Sequence, residues 1–276
     1  MKAHARILVL LLALAMLLSA CGSQEASGGE PEVKDTLIVG NNAEPTVLDP
    51  PNQQNTPAGL INVQVYDGLL RQNNETGEIE PCLAESWEYV DDCTVRFHLR
   101  DDVYFHDGSK FTAEDVKFTF DRGAECVMKA MIFEPFDTSK TKIIDEYTIE
   151  LGTKDVFPPF LTYLTNNATL IVSKSAVEAA GSDDVYGRNP VGTGAYKFVE
   201  WIAGDRVVLE RNEEYWGELP EFKNLIIRTI ADDTTRGMAL ESGEIDIAVG
   251  LSTSQVETLS NSESTDVIPF MSYATQ

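Results

Sequence analysis

Between Thr94 and Leu99 apolar and polar residues alternate. Val95, Phe97 and Leu99 share one face, and Arg96 and His98 share the other, which is the period of a half-buried strand. The same beat runs through Trp87 and Tyr89, so with Asp91-Asp92 as the turn a hairpin is predicted over 85–100. A second hairpin is predicted over 194–212, turning at Ala203-Gly204-Asp205, and a further strand pair over 142–152 around Asp145-Glu146. Short apolar runs at 36–40, 224–230 and 244–249 predict buried strands. Helical spacing appears over 60–70, with apolar residues at 61, 65 and 69. It appears again over 112–123, with Thr112 as N-cap, acids in the first turn and Gly123 at the end. Shorter helices are predicted over 173–181 and 232–243. From 41 to 59 the periodicity lapses into a stretch with four prolines and a cluster of amides. Long loops of this kind inside a compact domain are usually functional. Antiparallel hairpins mixed with a few β–α–β steps define an α/β class with mixed sheets.

The N-terminus carries a different pattern. Lys2 and Arg6 precede a nearly unbroken apolar run from Ile7 to Leu18. That run is shorter than the roughly 20 residues a membrane-spanning helix needs and matches the core of a signal peptide. Leu18-Ser19-Ala20-Cys21 resembles the lipobox of bacterial lipoproteins. The resemblance implies a signal peptide over 1–20, a lipid on Cys21 and attachment to a membrane through that lipid. Residues 21–36, rich in Ser, Gly and Glu, are expected to be a flexible linker.

Charge and cysteines narrow the picture further. The 276 residues carry a net charge of −24, and the value is −26 without Lys2 and Arg6. Such a surface repels nucleic acid and anionic lipid, so no nucleic-acid partner is expected. With Cys21 assigned to lipid, Cys82, Cys93 and Cys126 remain. One disulfide at most is possible, with Cys82 and Cys93 flanking the first hairpin as its candidates. No spacing is CxxC, which leaves zinc and redox readings weak.

Enzyme signatures are scarce. The chain has no GxSxG elbow, HExxH or P-loop, and Gly192-Thr193-Gly194 lacks the third glycine of a dinucleotide fingerprint. His98 and His106 are expected to be solvated hairpin residues. Asp91-Asp92, Asp101-Asp102 and Asp183-Asp184 are expected to be turns and exposed faces. No catalytic residue, metal ligand or cofactor is assigned.

Several motifs occur in order: VLDP (47–50), VYDGLL (65–70), PCLAESWE (81–88), RFHLRDDVYFHDGSKFTAEDVKFTF (96–120), NPVGTGAYKFVEW (189–201), LERNEEYWG (209–217) and ALESGEIDI (239–247). Together they resemble family 5 of the extracellular solute-binding proteins, the peptide-, dipeptide- and nickel-binding receptors of ABC importers. The resemblance implies a mixed-sheet, periplasmic-binding-protein-like lobe of type II, similar to that of dipeptide-binding proteins. It implies a sheet subdomain over 37–65 and 190–270 and an inserted subdomain over 66–189. Members are about twice this long, so a second lobe is expected beyond a hinge starting at 271–276. The implied function is a non-enzymatic, lipid-anchored receptor on the extracellular face of the bacterial cell membrane, on the periplasmic side if the organism has an outer membrane. It passes oligopeptides or dipeptides to permease and ATPase subunits. A nickel chelate, a sugar or another solute remains open as ligand, as does a truncated lobe without a transport role.

In relatives the stretch after LDP runs extended beside the bound peptide. Here that is Gln53, Gln54, Asn55 and Thr56, whose backbone N–H and C=O groups are suited to pair with any peptide. Gly250 and Leu251, after the 244–249 strand, are the second cleft-facing candidates.

Overall fold

The strands of the computed structural model, which describes residues 34–268, are β1 (Thr36–Asn41), β2 (Leu70–Gln72), β3 (Ile79–Pro81), β4 (Ala84–Asp91), β5 (Thr94–Leu99), β6 (Lys142–Asp145), β7 (Thr148–Gly152), β8 (Tyr196–Ile202), β9 (Arg206–Arg211), β10 (Asn224–Thr229) and β11 (Ile247–Ala248). The longer helices are α1 (Thr56–Val65), α2 (Ala113–Glu125), α3 (Lys174–Ala180), α4 (Asp233–Glu241) and α5 (Thr253–Leu259). Cys21, the expected signal peptide and most of the linker, and the expected hinge start at 271–276 lie outside the described residues.

One mixed sheet has the order β11-β1-β10-β9-β8, with β1 parallel to both neighbours and the β8–β9–β10 meander antiparallel. A second, fully antiparallel sheet has the order β4-β5-β7-β6, and β2 and β3 form a separate ribbon. Two apolar cores follow this division. Val39, Ile61, Val65, Val207, Leu209 and Ile227 belong to the first, and Phe97, Phe111, Phe120, Phe136, Ile149 and Leu151 to the second. The first sheet draws on chain before 42 and after 195, and the second on 84–152, so the five-stranded sheet is completed only after the chain returns. Residues 35–268 form one compact unit.

Local chemistry explains most elements. Thr112 caps α2 in a reciprocal box: its Oγ1 accepts from the Glu114 N–H while Asp115 Oδ2 accepts from the Thr112 N–H at 3.0 Å. The other Asp115 oxygen accepts from the Lys174 N–H at 3.0 Å, which seats α3 against α2. α3 ends on Gly181 at φ +72°, a left-handed conformation that favours glycine. The hairpins, α2, α3, α4 and β10 fall where the pattern places them, with α2 running two residues past Gly123.

The structure corrects several expectations. α1 begins at Thr56 rather than 60 and stops at Val65, because Asn55 caps it through the Ala58 N–H and Pro57 fits its first turn. Leu70, expected in that helix, opens β2. The 244–249 run pairs only at Ile247–Ala248. Cys82, Cys93 and Cys126 are all free. Cys82 stands before β4 whereas Cys93 lies in the turn beyond it, on the far side of an eight-residue strand. Such a strand spans about 26 Å, well beyond the roughly 7 Å Cα limit of a disulfide. Trp87, paired with Phe97, is half-buried because β4 is the sheet's edge strand, whereas Phe97 is fully buried.

His106 is likewise half-buried rather than solvated. Its Nε2 lies 2.9 Å from the Gly194 carbonyl, and its Nδ1 accepts from the Gly192 N–H at 3.4 Å. This pairing requires the neutral Nε2–H tautomer. Desolvation holds its pKa down at about 4.

Candidate functional site

The mixed sheet ends, at the carboxyl end of β1, in the proline- and amide-rich segment. In open α/β sheets this is the end at which ligands bind. Asn55 organises the segment. Its Oδ1 accepts from the Thr46 and Ala58 N–H groups, and its Nδ2 donates to the Glu44 carbonyl at 2.8 Å. One short side chain therefore caps α1 and fastens the start of the loop to its end.

The middle of the loop is held from beneath. Asp49, fully buried, receives the Arg122 guanidinium at 2.8 and 2.5 Å, and Asn52 Nδ2 donates to it at 2.7 Å. The Cys126 thiol donates to the Pro51 carbonyl at 2.8 Å. The Tyr66 hydroxyl donates to the Leu48 carbonyl at 3.0 Å, and the Leu48 N–H to the Gly187 carbonyl at 2.9 Å. Gln53 is buried, its Oε1 accepting from Asn62 Nδ2 at 3.0 Å.

What remains free is backbone. Gln53 (φ −60°, ψ 138°) and Asn55 (φ −140°, ψ 160°) are extended. Among the described residues, no hydrogen bond outside the Pro50–Asn52 turn engages the C=O of Gln53, the N–H or C=O of Gln54, or the N–H of Asn55. Gln54 is exposed and flanked by residues whose side chains point into the fold. The candidate stretch is thus an immobilised piece of unpaired strand, suited to receive another extended chain. Thr56 leaves this set: it is the first residue of α1, and its carbonyl belongs to the helix.

Gly250 and Leu251 lie at the same end of the sheet, just beyond β11, which is parallel to β1. Gly250 has φ +68°, and a Cβ there would stand 2.9 Å from Asn42 Nδ2. Its carbonyl accepts from the buried Arg236 at 2.8 Å, so that group is occupied within the protein. Leu251 is half-exposed and precedes Ser252, the cap of α5. No hydrogen bond among the described residues joins Gly250 or Leu251 to Gln53–Asn55.

Asn55's capping role has a local signal in Asn55-Thr56-Pro57, a cap residue followed by proline, whereas its bonds to Thr46 and Glu44 have none. The supports Arg122, Cys126 and Gly187 carry no local signal. Two surface depressions, of about 370 and 390 Å³, lie instead at the β4–β5 turn around Asp91, away from these residues. Among the described residues, no cluster of three or more His, Cys, Asp or Glu has the arrangement of a metal site.

The family model for bacterial extracellular solute-binding proteins, family 5 Middle, matches residues 78–276. The chain belongs to family 5 of these proteins. This family 5 chain is 30% identical over 247 residues to the probable D,D-dipeptide-binding periplasmic protein DdpA of Escherichia coli, covering 87% of the chain and 48% of the relative. It is 30% identical over 239 residues to the glutathione-binding protein GsiB of Shigella boydii, covering 85% of the chain and 46% of that relative. In structure it is similar to the periplasmic binding protein DppA of Helicobacter pylori in complex with the peptide STSA. The TM-score is 0.75 at 28% identity, over 83% of this chain and 49% of that one. The fold is that of a type II periplasmic-binding-protein lobe, and the chain spans about half the length of the curated relatives it matches.

Proposed function

We propose that this chain is the peptide-facing lobe of an extracellular substrate-binding lipoprotein, delivering di- or oligopeptides to an ABC permease. The observation that carries the reading is the rigid, extended Gln53–Asn55 stretch with unpaired backbone at the carboxyl end of β1. Backbone pairing gives affinity without demanding particular side chains, which suits a receptor for varied peptides. The peptide class is supported by the ligands that the relatives' names carry: D,D-dipeptide, glutathione and STSA. The protein binds and releases its solute unchanged. A second lobe closes over the ligand, which stabilises the closed form by touching both sides. Cys21 carries the lipid that keeps the receptor at the outer face of the cell membrane.

The test is calorimetry of the full-length receptor with di- and tripeptides and with the same peptides N-methylated at one backbone amide. Binding of the parent peptides, weakened about tenfold or more by a single N-methyl group, is expected. Equal affinity for parent and N-methylated series would remove the backbone-pairing reading, and no peptide binding at all would remove the peptide class.

A further inference from the structure

Among the described residues, every arginine except one has a carboxylate partner: Arg71, Arg96, Arg100, Arg122, Arg206, Arg211, Arg228 and Arg236 are all in ion pairs. Arg188 has none. In a chain of net charge −24 an exposed guanidinium is surrounded by negative potential and has carboxylates on offer. Arg188 instead lies flat on the indole of Trp201, with Cζ 3.6 Å from the ring centroid. Stacking of this kind holds a guanidinium by its face and leaves the N–H groups at its edge free.

The pair is linked to the unpaired strand through Glu44. Trp201 Nε1 donates to Glu44 Oε1 at 2.8 Å, and the carbonyl of the same Glu44 accepts from Asn55 Nδ2 at 2.8 Å. Arg188 follows Gly187, whose carbonyl receives the Leu48 N–H. In the sheet Trp201 stands opposite Val207, which faces Ile227, which faces Val39. Trp201 is therefore level with Val39, near the carboxyl end of β1 from which the candidate segment follows. Glu44, the nearest acid in this bonded chain, directs its Oε1 to the indole N–H and makes no ion pair with Arg188.

We propose that Arg188, stacked on Trp201, is a subsite for a carboxylate of the ligand whose backbone runs along Gln53–Asn55. A planar guanidinium edge binds a carboxylate through two parallel hydrogen bonds. The protein's negative field disfavours free anions, so a carboxylate is retained only when the rest of its molecule is also held. The pair thus selects solutes that combine an extended amide backbone with a carboxylate, a free peptide C-terminus being the simplest. This inference rests on the peptide-binding reading above.

The experiment uses the full-length receptor with three probes: trialanine, its C-terminal amide, and the amide of Ala-Ala-Asp. Wild type is expected to bind the acid about 10- to 100-fold more tightly than the alanine amide, against the electrostatic preference of an acidic protein for the more cationic amide. Arg188→Gln should bring the acid's affinity down to that of its amide and so abolish the preference, and Arg188→Lys should keep part of it. Tight binding of the Ala-Ala-Asp amide would identify a side-chain carboxylate as an equally good occupant and supports the subsite. The Nε–H resonance of Arg188 in the wild-type protein should move with the acid and not with the alanine amide, a readout that needs no variant to fold. Full discrimination in Arg188→Gln, or an unmoved Arg188 resonance, would overturn the subsite while peptide binding stands. Absence of binding to every peptide would overturn the functional reading and this inference with it.

Discussion

His106 Nε2 lies 2.9 Å from the carbonyl oxygen of Gly194, 88 residues further along the chain. This bond ties the turn that follows the first hairpin to the strand that re-enters the mixed sheet. Desolvation lowers the His106 pKa to about 4, below its ordinary value near 6.5. A group whose folded pKa is depressed in this way favours the folded state fully above pH 6.5 or so. The contribution is lost as the pH falls toward 4, at up to about 1.4 kcal/mol per pH unit. Urea melts of wild type and His106→Ala should therefore differ most at neutral pH and converge by about pH 4.5. A gap that widens on acidification would contradict the neutral, buried assignment.

Asp49 and Arg122 form a largely buried ion pair beneath the candidate strand, with side-chain exposures of 0% and 13%. Removing one partner strands a buried charge. Arg122→Met is expected to cost about 3–5 kcal/mol in denaturant melts. Asp183→Ala, which removes only the exposed second partner of Arg122, is expected to cost less than about 1 kcal/mol.

Gly194 packs directly on the end of α1: an added Cβ would lie 2.5 Å from the Gln64 carbonyl oxygen. Backbone has no rotamer with which to retreat. Gly194→Ala should destabilise by more than about 3 kcal/mol, read as a large drop in Tm. Gly204→Ala, in open space at φ +73°, tests strain alone and should cost about 1 kcal/mol.

Phe97 is fully buried and Trp87, its cross-strand partner, only half so. Phe97→Ala should cost about 3–5 kcal/mol, and Trp87→Ala distinctly less, in the same chemical melts. Equal losses would mean that the edge strand is covered in solution.

Cys21 is the proposed lipid attachment point. Cys21→Ser should move the protein from the membrane fraction into the medium, or block its processing, and abolish incorporation of labelled palmitate. Unchanged partitioning would refute the anchor.

The elements legible in the chain are those whose causes are local. Alternation over Val95, Phe97 and Leu99, the capping box of Thr112 and Asp115, and the closing Gly181 each act within a few residues, so pattern alone specifies them. The amide-rich segment was legible as an irregular, functional stretch, and its extended part survives at Gln53–Asn55. The Asn55 cap belongs to the same local class, although the start it sets for α1 lies four residues before the apolar spacing indicates. Partnerships between distant segments have no such signature. Cys82 and Cys93 are close in sequence and held apart by an eight-residue strand, whereas Asp49 meets Arg122 across 73 positions and Trp201 meets Glu44 across 157. Burial of His106, the half-exposure of Trp87 and the isolation of Arg188 depend on which elements pack together. That is settled by the order of strands in the two sheets: a side chain's solvent and charge environment is made by its neighbours in space, and these come from chain far from it in sequence.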